Sequence, residues 1–337
     1  MHFMQLILDI LRIGIAAGLL AYLTISGAID WQIMVKLIDK WPMTLLALFA
    51  SVIFSLIQAG RLFLLLRAQG MYIPLYSSFK LTLIGQFFNI CLPGATGGDA
   101  VKIYYAIEGN QGRRTEIAAL IMFDRVVGMF ALLNMPVLIA PLFPKLYESI
   151  EILRGLVWVS TGISLVLLVT VLLCFISRLK NSHFIFWLFE KLPLGKYLKR
   201  VFDTIYNYRY NKGILLSVLG ISLLIHAMNI GIILFLSIVI SPLGLRWEMS
   251  FLIPLGFLAT TLPVSPGGIG VGEAAFNKLF AIAGLRGGAE LLLGWRLLAL
   301  TVGLGGIFFY LQGRKRFVRD PEFLDISGRD FPSCEKN

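Results

Sequence analysis

Pro266-Gly267-Gly268-Ile269-Gly270-Val271-Gly272-Glu273-Ala274 reads as a distorted copy of Pro93-Gly94-Ala95-Thr96-Gly97-Gly98-Asp99-Ala100. Each stretch is a proline, a glycine-rich turn, and an acid followed by alanine. Each interrupts an apolar segment, 75–107 and 250–284, and leaves arms too short to cross a bilayer comfortably alone. Apolar helices broken at matching places in two halves of a chain are the mark of a transporter built from repeats. The two stretches are therefore read as the tips of re-entrant hairpins, each made of two half-helices, with Pro93, Gly94, Pro266 and Gly267 in the turns. Non-helical backbone at membrane depth survives only inside protein or beside a water-filled cavity, so both tips are expected to face the interior.

Composition sets the class around these hairpins. Of 337 residues, 58% are hydrophobic and 15% charged, against ~25% charged in soluble domains. Several apolar runs reach the ~20 residues needed to span a bilayer. The expected fold is an all-α polytopic membrane protein with about six full spans, 6–26, 42–66, 116–139, 156–177, 213–240 and 290–312, plus the two hairpins. The N-terminus lacks a strong basic region and an Ala-x-Ala cleavage site, so 6–26 reads as a retained helix.

The net charge of +11 lies mostly between apolar runs, where topology signals lie. No nucleic-acid-binding module is recognisable, so nucleic acid is not an expected partner. Segment 178–212 carries eight Lys/Arg against Glu190 and Asp203, and Arg314, Lys315, Arg316 and Arg319 follow the last span. Both regions are expected inside; 27–41, 140–155 and 241–249 are nearly charge-balanced and expected outside. This makes residues 1–315 one transmembrane domain with both chain ends cytoplasmic. Repeat one is 42–139 and repeat two is 213–312, inverted by the linking span 156–177. Within the cytoplasmic segment, 183–205 reads as an amphipathic surface helix or a plain connecting loop. Residues 316–337 read as a disordered tail.

Ionisable groups inside apolar segments are costly and usually functional. Asp99 and Glu273 follow the two turns. Each either caps its half-helix or acts in coupling or gating, with Asp124 as a third candidate. Arg125 lies 26 residues after Asp99, and Arg296 lies 23 after Glu273. Each arginine reads as a bidentate phosphate ligand or as a salt-bridge partner of the acid of its own repeat, and both hold if the substrate competes for the arginine. Lys102 either snorkels to the cytoplasm or leads an anionic head group inward. Arg61, near the end of its span, reads as snorkelling. Gly97, Gly98, Gly268 and Gly270 expose backbone N–H groups that suit an anion, or merely permit tight packing. His226, with Asn229, reads as an interhelical hydrogen-bonding residue.

Signals for enzymes are weak. Gly270 to Ala275 matches GxGxxA, but it follows no strand of a βαβ unit, and Gly94 to Lys102 lacks the GK[ST] ending. Cys91, Cys174 and Cys334 form no CxxC pair. With no Ser/His/Asp order and no metal spacing, the protein is expected not to be an enzyme and to need no cofactor or metal.

Leu92-Pro93-Gly94-x-x-Gly97-Gly98-Asp99-Ala100-x-Lys102, Asp124-Arg125, Pro263-x-Ser265-Pro266-Gly267-Gly268-Ile269-Gly270-x-x-Glu273 and Arg296 together resemble the lysylphosphatidylglycerol synthase transmembrane-region, or flippase-like, family. The resemblance covers roughly residues 5–315. It implies a bacterial or archaeal membrane protein. Some such proteins are fused to a soluble aminoacyl transferase, and others are linked to moving glycerophospholipids, hopanoids or polyprenyl-linked lipids. No soluble catalytic domain follows residue 315, so the resemblance implies the translocating part. The expectation is a bacterial inner-membrane translocase for an anionic phospholipid or polyprenyl-linked lipid. The alternatives are a membrane subunit of a lipid-modifying system, with a soluble or membrane enzyme as partner, and a proton-coupled small-solute carrier. A homo-oligomer is compatible with all three.

Overall fold

The computed structural model describes residues 31–71, 73–91, 97–108, 113–174, 212–240, 244–262 and 264–311, with isolated positions at 21, 24, 25, 202, 206 and 208. The expected span 6–26, the surface segment 183–205, the tail 316–337 and the tip residues Pro93 and Gly94 lie outside the described residues, apart from those isolated positions.

Among the described residues the fold is entirely helical. A short α1 (Trp31–Asp39) leads into α2 (Trp41–Ala68), which starts with Pro42 in its first turn, where a missing N–H costs nothing. The broken segment 75–107 becomes α3 (Leu75–Cys91) and α4 (Gly97–Glu108), followed by α5 (Arg114–Ile139). A 3-10 turn (Ala140–Leu142) and α6 (Pro144–Ser149) connect to α7 (Glu151–Cys174). The second half has α8 (Lys212–Ile240), α9 (Met249–Thr260), a 3-10 turn (Pro266–Gly268), α10 (Val271–Ile282) and α11 (Gly288–Leu311). The second proline-glycine stretch breaks its helix where the sequence places the break, and the first falls between the end of α3 and the start of α4.

Among the described residues four helices are long and apolar enough to cross a membrane: α2, α7, α8 and α11. The expected span 116–139 folds as α5, which is also long at 26 residues but carries Asp124 and Arg125 mid-helix. The linking span starts at Glu151, earlier than expected, and exposes Trp158, Val159, Leu165 and Val166, a surface suited to lipid.

The halves interlock. α2 runs along α8. The first arm of one hairpin, α3, packs most extensively on α11, and the first arm of the other, α9, packs on α5. Close approach explains part of this. A Cβ on Gly306 of α11 would collide with the Leu83 carbonyl of α3, so only glycine lets these backbones touch. Buried side chains form two clusters, one around Leu236, Phe251, Phe276 and Leu292, the other around Leu65, Leu81, Leu120 and Phe123. Tyr208 anchors the end of segment 178–212 to the second cluster. It stacks on Phe123 and donates to the Leu65 carbonyl (2.8 Å).

Candidate functional site

The second hairpin tip explains its own sequence. Gly267, Gly268 and Gly270 adopt φ of 56°, 70° and 82°, a region that side chains rarely enter. The reversal starts α10 at Val271, and Glu273 in its first turn reaches back to accept from the Gly270 N–H (2.6 Å). The other carboxylate oxygen accepts from Arg296 Nε (2.6 Å). Arg296 also donates to the carbonyls of Gly267 (2.8 Å) and Gly268 (2.9 Å). Glu273 is fully buried, and the Arg296 side chain is 12% exposed. This arginine laces the tip together from α11.

The first hairpin repeats the plan with looser fastening. Asp99, in the first turn of α4, pairs with Arg125 of α5. Asp99 also faces Lys102 Nζ at 3.5 Å. One carboxylate thus meets two cations, and the cluster keeps a positive charge. Asn89 of α3 accepts from the Gly98 N–H (3.0 Å) and from Arg125 Nη2 (3.3 Å). The Arg125 side chain is 40% exposed, against 12% for Arg296.

Both arginines line one cavity of about 360 Å³, near the lower end of the ~300–1,000 Å³ typical of small-ligand sites. Its polar wall comes from Ser55 and Gln58 of α2, Gln86 of α3, His226 and Asn229 of α8, and Thr260 of α9. Phe257 and Trp295 add an aromatic side. Gln86 Nε2 donates to Gln58 Oε1 (2.9 Å) and lies 3.1 Å from Ser55 Oγ, so this wall is partly pre-ordered.

Several expectations are corrected. Arg61 does not snorkel. It is buried and meets Asp124 through Nε (2.8 Å) and Nη2 (2.8 Å), with Nη1 donating to Ser222 (2.9 Å). Snorkelling would leave Asp124 buried without its counter-charge. Lys102 neither snorkels nor lines the cavity, because its stem lies across Gly85 and its head turns to Asp99. The amides of Gly98 and Gly270 are taken by Asn89 and Glu273, and neither these glycines nor Gly97 and Gly268 line the cavity. Bare glycine at 98 serves packing, since a Cβ there would strike the Gly85 carbonyl. His226 bonds across helices to the Gly128 carbonyl (2.9 Å), but Asn229 faces the cavity. Of the acids, Asp99 and Glu273 sit behind the cavity-lining arginines, and Asp124 lies in the separate Arg61 pair. Among the described residues no three His, Cys, Asp or Glu side chains come together as a metal site.

The sequence analysis singles out His226 and Asn229 but not the Ser55, Gln58 and Gln86 side of this wall. Its signal was present: Ser51, Ser55 and Gln58 recur four and three residues apart in an otherwise apolar helix, one face of α2.

Residues 10–312 match the lysylphosphatidylglycerol synthase TM region family. The chain belongs to this family. No curated protein and no solved structure matches it. The matched span includes both hairpins, both tip acids and both cavity arginines. Membership in the lysylphosphatidylglycerol synthase TM family, together with the apolar helices, makes this a multi-pass membrane protein compatible with a lipid-related role.

Proposed function

We propose that this protein is a lipid translocase of the bacterial inner membrane, a carrier and not an enzyme, that passes an anionic head group through the cavity between its two halves. One observation carries the reading: Arg125 and Arg296, which follow the two hairpins in different halves of the chain, line the same cavity. A phosphate is the natural ligand for a planar guanidinium. Arg125 is the working contact, because it is the more exposed and belongs to the cluster with excess positive charge. Arg296 is committed to the second tip and shapes the cavity. The lipid phosphate competes with Asp99 for Arg125. The cavity volume suits a head group, so the acyl chains stay in the bilayer.

The exchange of packing partners between halves supports two inverted repeats with re-entrant tips. In that arrangement α2 with α3, α4 and α5 corresponds to α8 with α9, α10 and α11. The charge asymmetry of the loops supports cytoplasmic termini. The family's description as the membrane region of a synthase favours a second reading, in which this chain serves a separate lipid-modifying enzyme. Co-purification of such an enzyme would support that reading.

The test is reconstitution in proteoliposomes with anionic lipid labelled on its acyl chain. Arg125→Ala should lower translocation at least tenfold while costing only about 1 kcal/mol or less of stability, and Arg125→Lys should recover little, having lost the planar fork. Normal transport by Arg125→Ala would remove the phosphate contact and the translocation model with it.

A further inference from the structure

The lining of the cavity discriminates between head groups. Its two charged side chains are both arginines; among the described residues no carboxylate lines it. Asp99 and Glu273 approach, but each stands behind an arginine. An ammonium brought inside would face two guanidinium groups without a counter-charge. The remaining polar wall consists of uncharged amides and hydroxyls. One of them is orphaned: Asn229 is 7% exposed, and its Oδ1 accepts no hydrogen bond. Buried acceptors of this kind await a donor. A neutral donor beside a phosphate-binding arginine is a hydroxyl.

We infer that the cavity selects a phosphodiester head group bearing free hydroxyls and no ammonium, and rejects zwitterionic and aminoacylated head groups. This rests on the reading of the cavity as the head-group chamber of a lipid carrier. Phosphoglycerol and phosphosugar share the required chemistry. In the bound state the phosphate engages Arg125, and a hydroxyl donates to Asn229 Oδ1. Other hydroxyls meet the Gln58–Gln86 wall. The missing carboxylate, and not size, excludes the aminoacyl form.

The test is competition binding by native mass spectrometry on the full chain in detergent micelles. The probes are short-chain phosphatidylglycerol, a short isoprenyl phosphosugar, phosphatidic acid, phosphatidylethanolamine and lysylphosphatidylglycerol. Phosphatidylglycerol or the phosphosugar should bind at least tenfold more tightly than the other three, and whichever does so names the lipid. Equal binding of phosphatidic acid would overturn the role of the hydroxyls. Equal binding of phosphatidylethanolamine or lysylphosphatidylglycerol would overturn the charge exclusion. Asn229→Asp adds the missing carboxylate and should shift relative binding toward the ammonium-bearing lipids at least tenfold. An unchanged preference in a variant with native melting would overturn the placement of the head group at Asn229. Selective binding without translocation in liposomes would uphold this inference and remove the transport reading instead.

Discussion

Replacing Glu273 by glutamine changes few atoms and should still be costly. Both carboxylate oxygens are in use, one for Arg296 Nε and one for the Gly270 N–H, each at 2.6 Å, and the side chain has no exposure. Glutamine supplies one oxygen and one NH₂, so whichever way the amide turns, one donor faces another donor. The change also strips Arg296 of its counter-charge. Breaking a buried pair from one side costs about 3–5 kcal/mol. Arg296 keeps the Gly267 and Gly268 carbonyls, which places the expected loss near the lower end, about 3 kcal/mol. Asp99→Asn is the matched control. Its partner Arg125 is 40% exposed, so solvent screens the pair and the expected loss is about 1 kcal/mol or less. Equilibrium unfolding of both variants in mixed micelles measures the difference. Glu273→Gln/Arg296→Gln should regain at least half of the single-variant loss, because it leaves no charge stranded. A Glu273→Gln protein within about 0.5 kcal/mol of Asp99→Asn, which is the usual range for surface changes, would refute the view of the second tip as a laced buried unit.

Arg296→Ala should reduce folded yield and not merely transport, since it removes all three bonds lacing the tip; a stable, fully folded variant in a melting assay would contradict this. Arg61→Ala should destabilise by about 3–5 kcal/mol, and Arg61→Met/Asp124→Leu should restore most of that loss, read by the same micelle unfolding. Gly306→Ala should cost about 1–3 kcal/mol, the usual range for overpacking. Gly60→Ala, with nothing within 4 Å of the added Cβ, should be neutral or mildly stabilising. For topology, a cysteine at position 190 should resist an impermeant reagent applied to intact cells, and labelling from outside would sink the inverted-repeat arrangement.

Local chemistry carried much of this protein into view from its sequence. Membrane class follows from composition. The helix breaks follow from proline and glycine, whose backbone effects act within a few residues and need no partner, and the φ values of Gly267, Gly268 and Gly270 are their consequence. The pairing of each tip acid with the arginine of the following helix was one of two readings the spacing allowed. Tertiary structure decided the rest. Asp124 adjoins Arg125 in sequence but pairs with Arg61, 63 residues away, because neighbours on a helix point to different sides. Lys102 turns to Asp99, and Tyr208 stacks on Phe123 and bonds to the Leu65 carbonyl. The meeting of Arg125 and Arg296 at one cavity depends on α3 lying against α11 and α9 against α5. Apolar spans are hydrophobic on nearly every face, since lipid accepts any of them, so their pattern does not say which face meets which neighbour. Facing is settled by where small residues let backbones touch and where buried charges find their opposites, and only the folded chain brings those together.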